Sequence, residues 1–369
     1  MQYCKKCLTP SSRPRIVFDK EGICNACRHA ENKYEHIDWD ARRKEFLKLI
    51  EPYRSKDGYW DCIVPWSGGK DSSAIAYKLK FEFGMHPLLV TFSPQLPTEI
   101  GNHNREEMIK LGFDHIMLRP DQKVHRYLSR RFFIERGDQK IAWTAGINTF
   151  PVQVAVKYKI PLVFYAEHGE SEYGGKVLSE EHQKMRDFTE FLENQVGDNP
   201  RNWVDDKVSL NDLNPYIYPD LEAVKKVGVK AMYFGYFFKW SMLNNYNFIK
   251  TKIDFKVHPK GRTPGTITNY DSVDDKSDNL YYYMQYIKFG FGRAIRDISR
   301  MIQNNQMTRE EGLELAKKYD GEFCSEYFED MLDYLELKKE EFTEIVDKHR
   351  NPEIWVKEGG EWKLRHPLK

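Results

Sequence analysis

Residues 60–82 read WDCIVPWSGGKDSSAIAYKLKFE and place a glycine-rich turn between two apolar segments. The stretch from Trp60 to Pro65 is typical of a short buried strand, and the spacing of apolar residues predicts a helix from Ser73 to Glu82. Because glycine has no Cβ, the backbone N–H groups of Ser67 to Ser72 can close around an anion. The positive end of the helix and the ammonium of Lys70 would strengthen this attraction. The stretch therefore predicts a loop that binds a polyphosphate.

This loop differs from the mononucleotide-binding loop of kinases and GTPases. That pattern requires a glycine five residues before Gly69, where Val64 stands, and a serine or threonine after Lys70, where Asp71 stands. The order Ser-Gly-Gly-Lys-Asp-Ser resembles instead the PP-loop of the ATP pyrophosphatase superfamily, whose members cleave ATP between its α and β phosphates. The resemblance implies that the triphosphate and the leaving pyrophosphate, neutralised by Mg²⁺, are held by Ser67, Gly68, Gly69, Lys70, Asp71 and Ser72. A carboxylate beside a triphosphate is repelled unless a cation intervenes, so Asp71 is assigned to Mg²⁺ or to helix capping.

Strand and helix patterns alternate after this loop. Apolar runs predict strands at Pro87–Phe92, Asp114–Leu118 and Pro161–Tyr165, and helical patterns run from Glu99 to Leu111 and from Thr149 to Tyr158. Such alternation predicts an α/β fold with a parallel sheet. In open sheets of this kind the ligand binds beyond the carboxyl ends of the strands.

Three segments lie at such strand ends. The first is the glycine-rich loop, and the second is Thr91, Phe92 and Ser93, which would face the adenosine in a PP-loop fold. The third is the segment 167–175, EHGESEYGG, with carboxylates, a histidine and glycines. It could coordinate Mg²⁺, bind a polar substrate, or form a solvated turn. We favour a functional role for Glu167 and Glu170. For Glu172, a functional role and a place in a solvated turn are equally favoured.

Four of the six cysteines form two close pairs, Cys4-x2-Cys7 and Cys24-x2-Cys27. This spacing is typical of a structural zinc site, in which four thiolates surround one Zn²⁺. Two disulfides, four reduced thiols or an iron–sulfur cluster are the alternatives. Cys62 and Cys324 lie far from these pairs, and Cys62 is interpreted as a small buried residue.

The second half of the chain contains loops rich in hydrogen-bond donors. They lie at 260–271, 274–278 and 288–293, after a polar segment at 176–212 that predicts a mobile excursion or a helical insert. Hydroxyls, amides and arginines suit a sugar or an anionic sugar nucleotide, although turns and helix caps use the same residue types.

Helical patterns flank these regions. Core-facing positions are predicted at Trp39, Phe46, Leu47, Ile50, Leu337, Phe342, Ile345 and Val346. Thr308 and Glu311 predict a capping box at the start of a helix. The tyrosines at 281–283 are interpreted as packing residues, with stacking on a sugar or base as the alternative.

Taken together, these motifs resemble the N-acetyl sugar amidotransferase family of the PP-loop superfamily over nearly the whole chain. The resemblance rests on the cysteine pairs, the glycine-rich loop, the Glu-x-x-Glu-x-x-Tyr-Gly-Gly segment ending at Gly175, and the loops at 262–278 and 288–293. It implies a zinc-binding unit at 1–35, an adenine nucleotide α-hydrolase-like domain at 36–175 and a mainly helical, substrate-binding region at 176–369. The residues assigned to substrate binding are Glu167, Glu170, Tyr173, Arg262, Thr263, Thr266, Asn269, Asp275, Lys276, Lys288 and Arg293.

The family resemblance also implies a reaction in bacterial surface polysaccharide or nonulosonic acid synthesis. The N-acetyl group of a nucleotide-activated sugar would be converted to an acetamidino group, with ATP, Mg²⁺ and Zn²⁺ required. The catalytic assignments are Lys70, Asp71, Glu167 and Glu170. ATP would adenylate the amide oxygen to an imidate, and ammonia would then displace AMP after pyrophosphate had left.

The nitrogen source is predicted to be a separate protein. Neither Cys62 nor Cys324 lies in a nucleophile-elbow context, and Cys4 begins the zinc motif, so the chain has no glutaminase signature. The resemblance implies a glutaminase partner, with an ammonia-channelling subunit as an optional addition.

Composition gives no support to nucleic-acid binding and argues against a membrane or secreted protein. The 57 basic and 56 acidic residues leave a net charge of +1, which gives no support for nucleic-acid binding. No segment approaches the roughly 18–20 consecutive apolar residues of a membrane span, and the N-terminus lacks the apolar run of a secretory signal. We expect a cytoplasmic protein.

Two rival functions stay open from the sequence. A tRNA sulfurtransferase would also combine a PP-loop with cysteine pairs, but such enzymes usually carry a cysteine near the active site, and the segment 142–146 has none. A nucleotide sensor would bind ATP without turnover and use the zinc unit as an interaction platform.

Overall fold

The structure is a computed structural model that describes residues 1–177, 179–187, 191–192 and 196–369. Its strands are β1 (Cys62–Pro65), β2 (Pro87–Phe92), β3 (Asp114–Leu118), β4 (Leu162–Tyr165), β5 (Lys230–Tyr233), β6 (Trp355–Glu358) and β7 (Glu361–Leu364). The helices in the first half are α1 (Asn25–Glu35), α2 (Trp39–Ile50), α3 (Lys70–Tyr77), α4 (Glu99–Lys110), α5 (Gln122–Arg136), α6 (Ile141–Tyr158), α7 (Gly169–Tyr173) and α8 (Glu180–Lys184). The later helices are α9 (Leu221–Val227), α10 (Phe234–Phe237), α11 (Met242–Ile249), α12 (Asp278–Phe289), α13 (Arg293–Gln303), α14 (Arg309–Tyr319), α15 (Phe328–Leu335) and α16 (Lys339–Lys348).

Five parallel strands form the central sheet in the order β3-β2-β1-β4-β5. Strand β1 pairs with β2 on one side and with β4 on the other, so the order of the strands reverses at β1. The carboxyl ends of the five strands lie at one edge, where open α/β sheets bind their ligands. The predicted α/β class with a parallel sheet is confirmed. Strands β6 and β7 form a separate antiparallel hairpin.

The strands agree closely with the sequence patterns. Strands β2 and β3 have the predicted bounds, whereas β1 and β4 begin at Cys62 and Leu162 rather than at Trp60 and Pro161. The late start of β1 has a local cause, because the carboxylate of Asp61 accepts hydrogen bonds from the backbone N–H groups of Ser55 and His86 at 2.6 and 2.7 Å. Strand β5 was not predicted, since its four residues run directly into the short helix α10.

Two helices begin earlier than their apolar patterns predict. Helix α3 begins at Lys70 rather than at Ser73, and a π-helical turn over Lys78–Glu82 completes the predicted segment. Helix α6 begins at Ile141 rather than at Thr149, because the polar residues that interrupt its pattern are satisfied inside the protein. Asn148 donates to the carbonyl of Thr144 at 2.7 Å.

An aromatic cluster stabilises the packing of α2 on the sheet. The ring of Phe46 is fully buried and lies 4.9–5.6 Å, centroid to centroid, from five other rings: Phe83, Phe164, Phe234, Phe237 and Phe238. Ile50 is buried beside it, as predicted, and Trp39 is half-buried. The prediction for Leu47 was wrong, since its side chain is 40% exposed. Its position falls outside the stripe of α2 that contacts the sheet.

The C-terminal region packs against the rest of the chain. Phe342 stacks on Phe133 of α5 with a centroid distance of 5.6 Å, and the predicted core residues Leu337, Ile345 and Val346 are buried around it. Helix α13 buries apolar residues against the cysteine pairs at the N-terminus. The predicted capping box opens α14, with Thr308 and Glu311 bonded reciprocally.

The polar segment 176–212 contributes to the core where the structure describes it. Trp203 and Val208 are buried in one cluster with Leu128 and Phe132 of α5. Residues 178, 188–190 and 193–195 of this segment lie outside the described part of the chain. Among the described residues, no helix combines the length and apolar content that crossing a membrane requires.

The burial of Phe46 and the exposure of Leu47 give a matched pair of substitutions on α2. We expect Phe46→Ala to lower the free energy of unfolding by about 3–5 kcal/mol, because a cavity remains among the five rings. Leu47→Ala should change it by less than about 1 kcal/mol. Denaturant unfolding of both variants measures the difference, and similar losses in the two would contradict this packing.

Candidate functional site

The glycine-rich loop connects the end of β1 to the start of α3. Gly68 has a φ of +90°, and a Cβ there would lie 2.5 Å from Cγ of Arg105, so only glycine fits. Arg105 supports the loop by donating from Nη1 to the carbonyl of Ser67 at 2.9 Å. The loop conformation is therefore fixed by both its own sequence and a neighbouring helix.

Two backbone N–H groups of the loop donate to hydroxyls of the loop itself. Gly69 N–H donates to Oγ of Ser67 at 3.1 Å, and Ser67 N–H donates to Oγ of Ser72 at the longer distance of 3.4 Å. Gly69 precedes α3 and has no side chain that could cap the first-turn N–H groups. An anion at this helix end would meet oriented N–H donors and the positive end of the helix dipole.

A cleft of about 610 Å³ adjoins the loop. The last residues of β1, β2, β4 and β5 all line it, so it lies at the predicted edge of the sheet. Its wall also includes residues from the N-terminal unit and from the C-terminal region, which are Arg13, Arg15, Asp274, Tyr281, Gln285 and Arg296. Of the predicted site residues, the cleft brings together Ser67, Ser72, Phe92, Glu167, Glu170 and Tyr173.

Lys70 is buried beneath the loop rather than exposed in the cleft. Its ammonium bonds to the carboxylate of Asp271 and donates to Asp71 at 2.9 Å. Burial alone would lower the pKa of Lys70, but these two carboxylates raise it above its usual value. Asp71 also accepts a hydrogen bond from Asn245 at 2.9 Å. In this arrangement Lys70 is a charged link between α3 and the C-terminal region.

Glu167 is a cleft carboxylate whose surroundings oppose its ionisation. It accepts a hydrogen bond from the hydroxyl of Tyr173. Burial and the nearby charge of Asp71 raise the pKa of Glu167 above its usual range. A carboxylate of this kind can exchange a proton or be neutralised by a cation.

Glu170 and Glu172 hold the segment 167–175 to the N-terminal unit. Glu170 accepts two hydrogen bonds from Arg15, at 2.9 and 2.6 Å, and a Cβ at Gly175 would displace this carboxylate. Glu172 pairs with Lys33 of α1 at 2.7 Å. Burial opposes ionisation, but the interactions of Glu172 with Lys33 and His29 together outweigh it and lower the pKa of Glu172 to about 2.

Two of the residues predicted to face adenosine lie behind the cleft wall. Thr91 donates to the carbonyl of Trp66, and Ser93 donates to that of Pro94 at 3.1 Å. Both are buried, whereas Phe92 between them lines the cleft. Because successive side chains of a strand point to opposite faces, Phe92 is the one of these three side chains that lines the cleft.

The predicted donor-rich loops mostly bind other parts of the protein. Arg262 forms a bidentate ion pair with Glu322, and Lys276 pairs with Asp330 at 2.7 Å. The remaining members have similar internal partners: Thr263 with Thr266, Asn269 with His258, Asp275 with Lys140, Lys288 with Arg136, and Arg293 with Asp297. The structure does not bring these side chains to the cleft, and their assignment to substrate binding stays a prediction.

Several cleft residues were missed by the sequence patterns. Arg13 belongs to the N-terminal unit, and Asp274, Gln285 and Arg296 belong to the C-terminal region. One sequence pattern could have predicted Arg296. The arginines at 293, 296 and 300 are spaced to share one face of a helix. Tyr281, interpreted as a packing residue, lines the cleft.

The four paired cysteines converge into one cluster. Their sulfur atoms all lie within 4.8 Å of one another, with 3.8 Å between Cys4 and Cys27 and 3.7 Å between Cys7 and Cys24. A tetrahedral site with Zn–S bonds of about 2.3 Å requires sulfur–sulfur separations of about 3.8 Å. These four buried cysteines could therefore hold a zinc ion. Gln303 of α13 lies against the cluster, with Nε2 at 3.6 Å from the sulfur of Cys7.

Comparison with known families gave a match to the C-terminal part of the chain. Residues 264–369 match the family model described as "LPS biosynthesis protein WbpG-like, C-terminal domain". Comparison with the curated proteins gave no match. The matched part supplies Asp274, Tyr281, Gln285 and Arg296 to the cleft. This similarity supports an enzyme of lipopolysaccharide biosynthesis, in agreement with the expected surface-polysaccharide pathway.

Removal of one cysteine ligand tests the zinc cluster. We expect the purified protein to contain about one zinc ion per chain, and Cys27→Ser to lose most of it because three thiolates bind more weakly. Cys62→Ser is the matched control, since Cys62 is also buried but lies outside the cluster. Metal analysis that finds equal zinc in both variants, or iron instead of zinc, would contradict the assignment.

The pKa of Asp274 predicts a specific pH dependence of stability. Burial and the neighbouring carboxylates of Asp278 and Asp275 raise the pKa of Asp274 from 3.8 to about 6. Above pH 6 the folded protein carries this disfavoured charge, so Asp274→Asn should be more stable than the wild type, by up to about 3 kcal/mol. The advantage should shrink as the pH falls through 6 and vanish below about 3.8.

The comparison uses denaturant unfolding without divalent cations, at several pH values between 4 and 8. Asp206→Asn, at an exposed position, is the control that should follow the wild type throughout. A difference between Asp274→Asn and the wild type that is constant with pH would be inconsistent with this prediction.

Proposed function

We propose that the protein is an ATP-dependent amidotransferase acting on a nucleotide-activated N-acetyl sugar. It converts the N-acetyl group to an acetamidino group, uses ammonia from a separate glutaminase, and releases AMP and pyrophosphate. The observation that carries this proposal is one shared cleft. A glycine-rich loop at the end of β1 forms one part of its wall, and the part of the chain similar to lipopolysaccharide biosynthesis proteins forms another.

The acidic side chains of the cleft fit a divalent cation. Glu167 and Asp274 line the same cleft, and the pKa of each is raised by burial and by neighbouring carboxylates. Two such carboxylates would repel a triphosphate unless a cation lay between the carboxylates and the phosphates. They are therefore the residues best suited to hold Mg²⁺, which would neutralise charge on the phosphates when bound.

The reaction follows from the poor reactivity of an amide. The oxygen of the N-acetyl group attacks the α-phosphorus of ATP, and the bond from that phosphorus to the β-phosphate oxygen breaks to release pyrophosphate. Ammonia then adds to the imidate carbon, and AMP departs with the former amide oxygen and leaves an amidine. The first-turn N–H groups of α3 would stabilise the leaving pyrophosphate. Glu167, which lines the same cleft, would accept a proton from the attacking nitrogen when it is not occupied by the cation.

The other catalytic assignments take different roles in this scheme. Lys70 and Asp71 begin α3, and their bonds to Asp271 and Asn245 favour a role in holding the loop in shape. Glu170 is bound by Arg15, which favours positioning of the segment that carries Glu167. Each of these remains a candidate for direct contact with ATP or the sugar.

The remaining cysteines favour an external nitrogen source. Burial raises the pKa of Cys62, and it raises the pKa of Cys324 to about 12, so both thiols stay protonated and unreactive. None of the residues that line the cleft is a cysteine. These features support ammonia delivery by a glutaminase partner and give no support to sulfur transfer.

The identity of the spent nucleotide tests the proposal. Purified protein is incubated with ATP, Mg²⁺, ammonium chloride and either UDP-N-acetylglucosamine or CMP-N-acetylneuraminic acid, and the products are separated by chromatography. We expect AMP and pyrophosphate only when a nucleotide sugar is present, and glutamine should not replace ammonium. ADP with orthophosphate, or use of glutamine by the isolated chain, would overturn the scheme.

Two glycine variants show whether the loop binds ATP. Gly68→Ala should weaken ATP binding by about tenfold or more, because the new Cβ displaces Arg105 and distorts the loop. Gly58→Ala is the matched control: Gly58 also has a positive φ, of +82°, but nothing lies within 4 Å of its added Cβ. Equal ATP affinities in the two variants would argue against this loop as the phosphate site.

A further inference from the structure

Arginines from two distant parts of the chain meet at the cleft. Arg13 belongs to the N-terminal unit, and Arg296 lies on α13. Both line the main cleft, and both also line a smaller adjoining pocket together with Tyr173 and Arg300. This convergence is a feature of the folded molecule, since 283 positions separate the first two arginines in the sequence (296 minus 13).

These arginines lack the carboxylate partners that neighbouring arginines have. Arg15 is paired with Glu170 and Arg293 with Asp297. In the described part of the chain, no carboxylate lies within ion-pair distance of Arg13 or Arg296, and the buried Nε of Arg296 has no hydrogen-bond acceptor. Arg13 donates from Nε to the carbonyl of Gly174 at 3.2 Å. Arg13 and Arg296 therefore carry positive charge with no carboxylate in direct contact, and Glu170 and Asp297 act on them only at longer range.

The mutual repulsion of these arginines affects the pKa of Arg13. Burial and the charges of Arg296 and Arg300 lower the pKa of Arg13 to about 10. Holding like charges together costs free energy, which a bound anion would offset. Guanidinium groups bind phosphate and carboxylate through paired hydrogen bonds, so both chemical classes fit.

The cluster is held in place by the zinc unit and α13 together. The guanidinium of Arg300 lies 3.4 Å from the centre of the Tyr173 ring. Leu8 of the N-terminal unit donates from its backbone to Oγ of Ser299 at 3.3 Å, and Gln303 contacts the cysteine sulfurs. The arginines are thus positioned before any ligand arrives, which reduces the entropy lost on binding.

We propose that Arg13 and Arg296 bind an anionic group of the sugar substrate, so that the zinc unit forms part of the acceptor site. This inference rests on the proposed function, in which the loop at Ser67–Ser72 already takes the phosphates of ATP. The anionic group is a phosphate of the sugar nucleotide or a carboxylate of the sugar. Tyr281 and Gln285 of α12 line the same cleft and offer a ring and an amide to the rest of the acceptor.

Direct binding without turnover tests this assignment. The full-length, zinc-loaded protein is titrated by calorimetry with UDP-N-acetylglucosamine, N-acetylneuraminic acid, CMP-N-acetylneuraminic acid and, separately, α,β-methylene-ATP. Arg13→Gln and Arg296→Gln should each weaken binding of the anionic sugars by about ten- to a hundredfold, as expected for loss of a charge-assisted hydrogen bond. Affinity for α,β-methylene-ATP should change by less than about twofold. Arg296→Lys, which keeps the charge, should recover part of the affinity.

The control variant is Lys6→Gln, which removes an exposed charge of the same unit that pairs with Glu31. It should bind every compound as the wild type does, and equal zinc content verifies folding of the unit in all variants. Loss of UDP-N-acetylglucosamine binding alone identifies a phosphate ligand, and loss of N-acetylneuraminic acid binding alone identifies a carboxylate.

Three outcomes would overturn the proposal. They are unchanged affinity for the anionic sugars in both arginine-to-glutamine variants, a parallel loss of α,β-methylene-ATP binding, and a wild type that binds none of the anionic sugars. Because no step of the assay depends on catalysis, absence of AMP formation would count against the proposed reaction and not against this site.

Discussion

The buried charge network centred on Asp271 connects the glycine-rich loop to the C-terminal region. Asp271 receives the ammonium of Lys70 and the hydroxyl of Thr268, and Nη2 of Arg293 lies 3.5 Å away. Removing such charges from water costs several kcal/mol each, and the cost is offset only while every partner is present. The start of α3, the segment before α12 and the helix α13 must therefore assemble together. The shape of the loop depends on residues two hundred positions further along the chain.

The N-terminal unit has a comparable architectural role on another side of the cleft. Its cysteines contact Gln303, and its basic residues Arg15 and Lys33 bind Glu170 and Glu172 of the segment that follows β4. A metal held by these cysteines would fix this unit, and through it the position of Glu167. The cysteine cluster and the edge of the sheet that lines the cleft are thereby joined by ion pairs rather than by adjacency in sequence.

Local patterns predicted the features that depend on neighbouring residues. The strand Pro87–Phe92 is buried along its whole length, so its continuous apolar run was sufficient to locate it, and the cysteine spacing predicted a cluster whose geometry suits zinc. Roles that depend on distant partners could not be predicted. Arg262 has the chemistry of a sugar-binding residue, but Glu322, sixty positions away, takes its guanidinium. No sequence pattern predicted that Arg13 lines the cleft, because this part of the cleft wall exists only after α13 has packed beside Arg13.

The region similar to WbpG-like proteins begins at residue 264, but its side chains pack directly against the rest of the chain. Its Ile295 and Ile298 are buried with Leu8, its Phe342 stacks on Phe133, and its Asp275 pairs with Lys140. Expressed as an isolated fragment, residues 264–369 would expose apolar surface and leave acidic side chains without their counterions. Recombination between related genes at this boundary would thus yield a stable hybrid only if Lys70 and Lys140 were matched by compatible acids in the incoming segment. Sequence change in this part of the chain is accordingly constrained by the half that contains the glycine-rich loop.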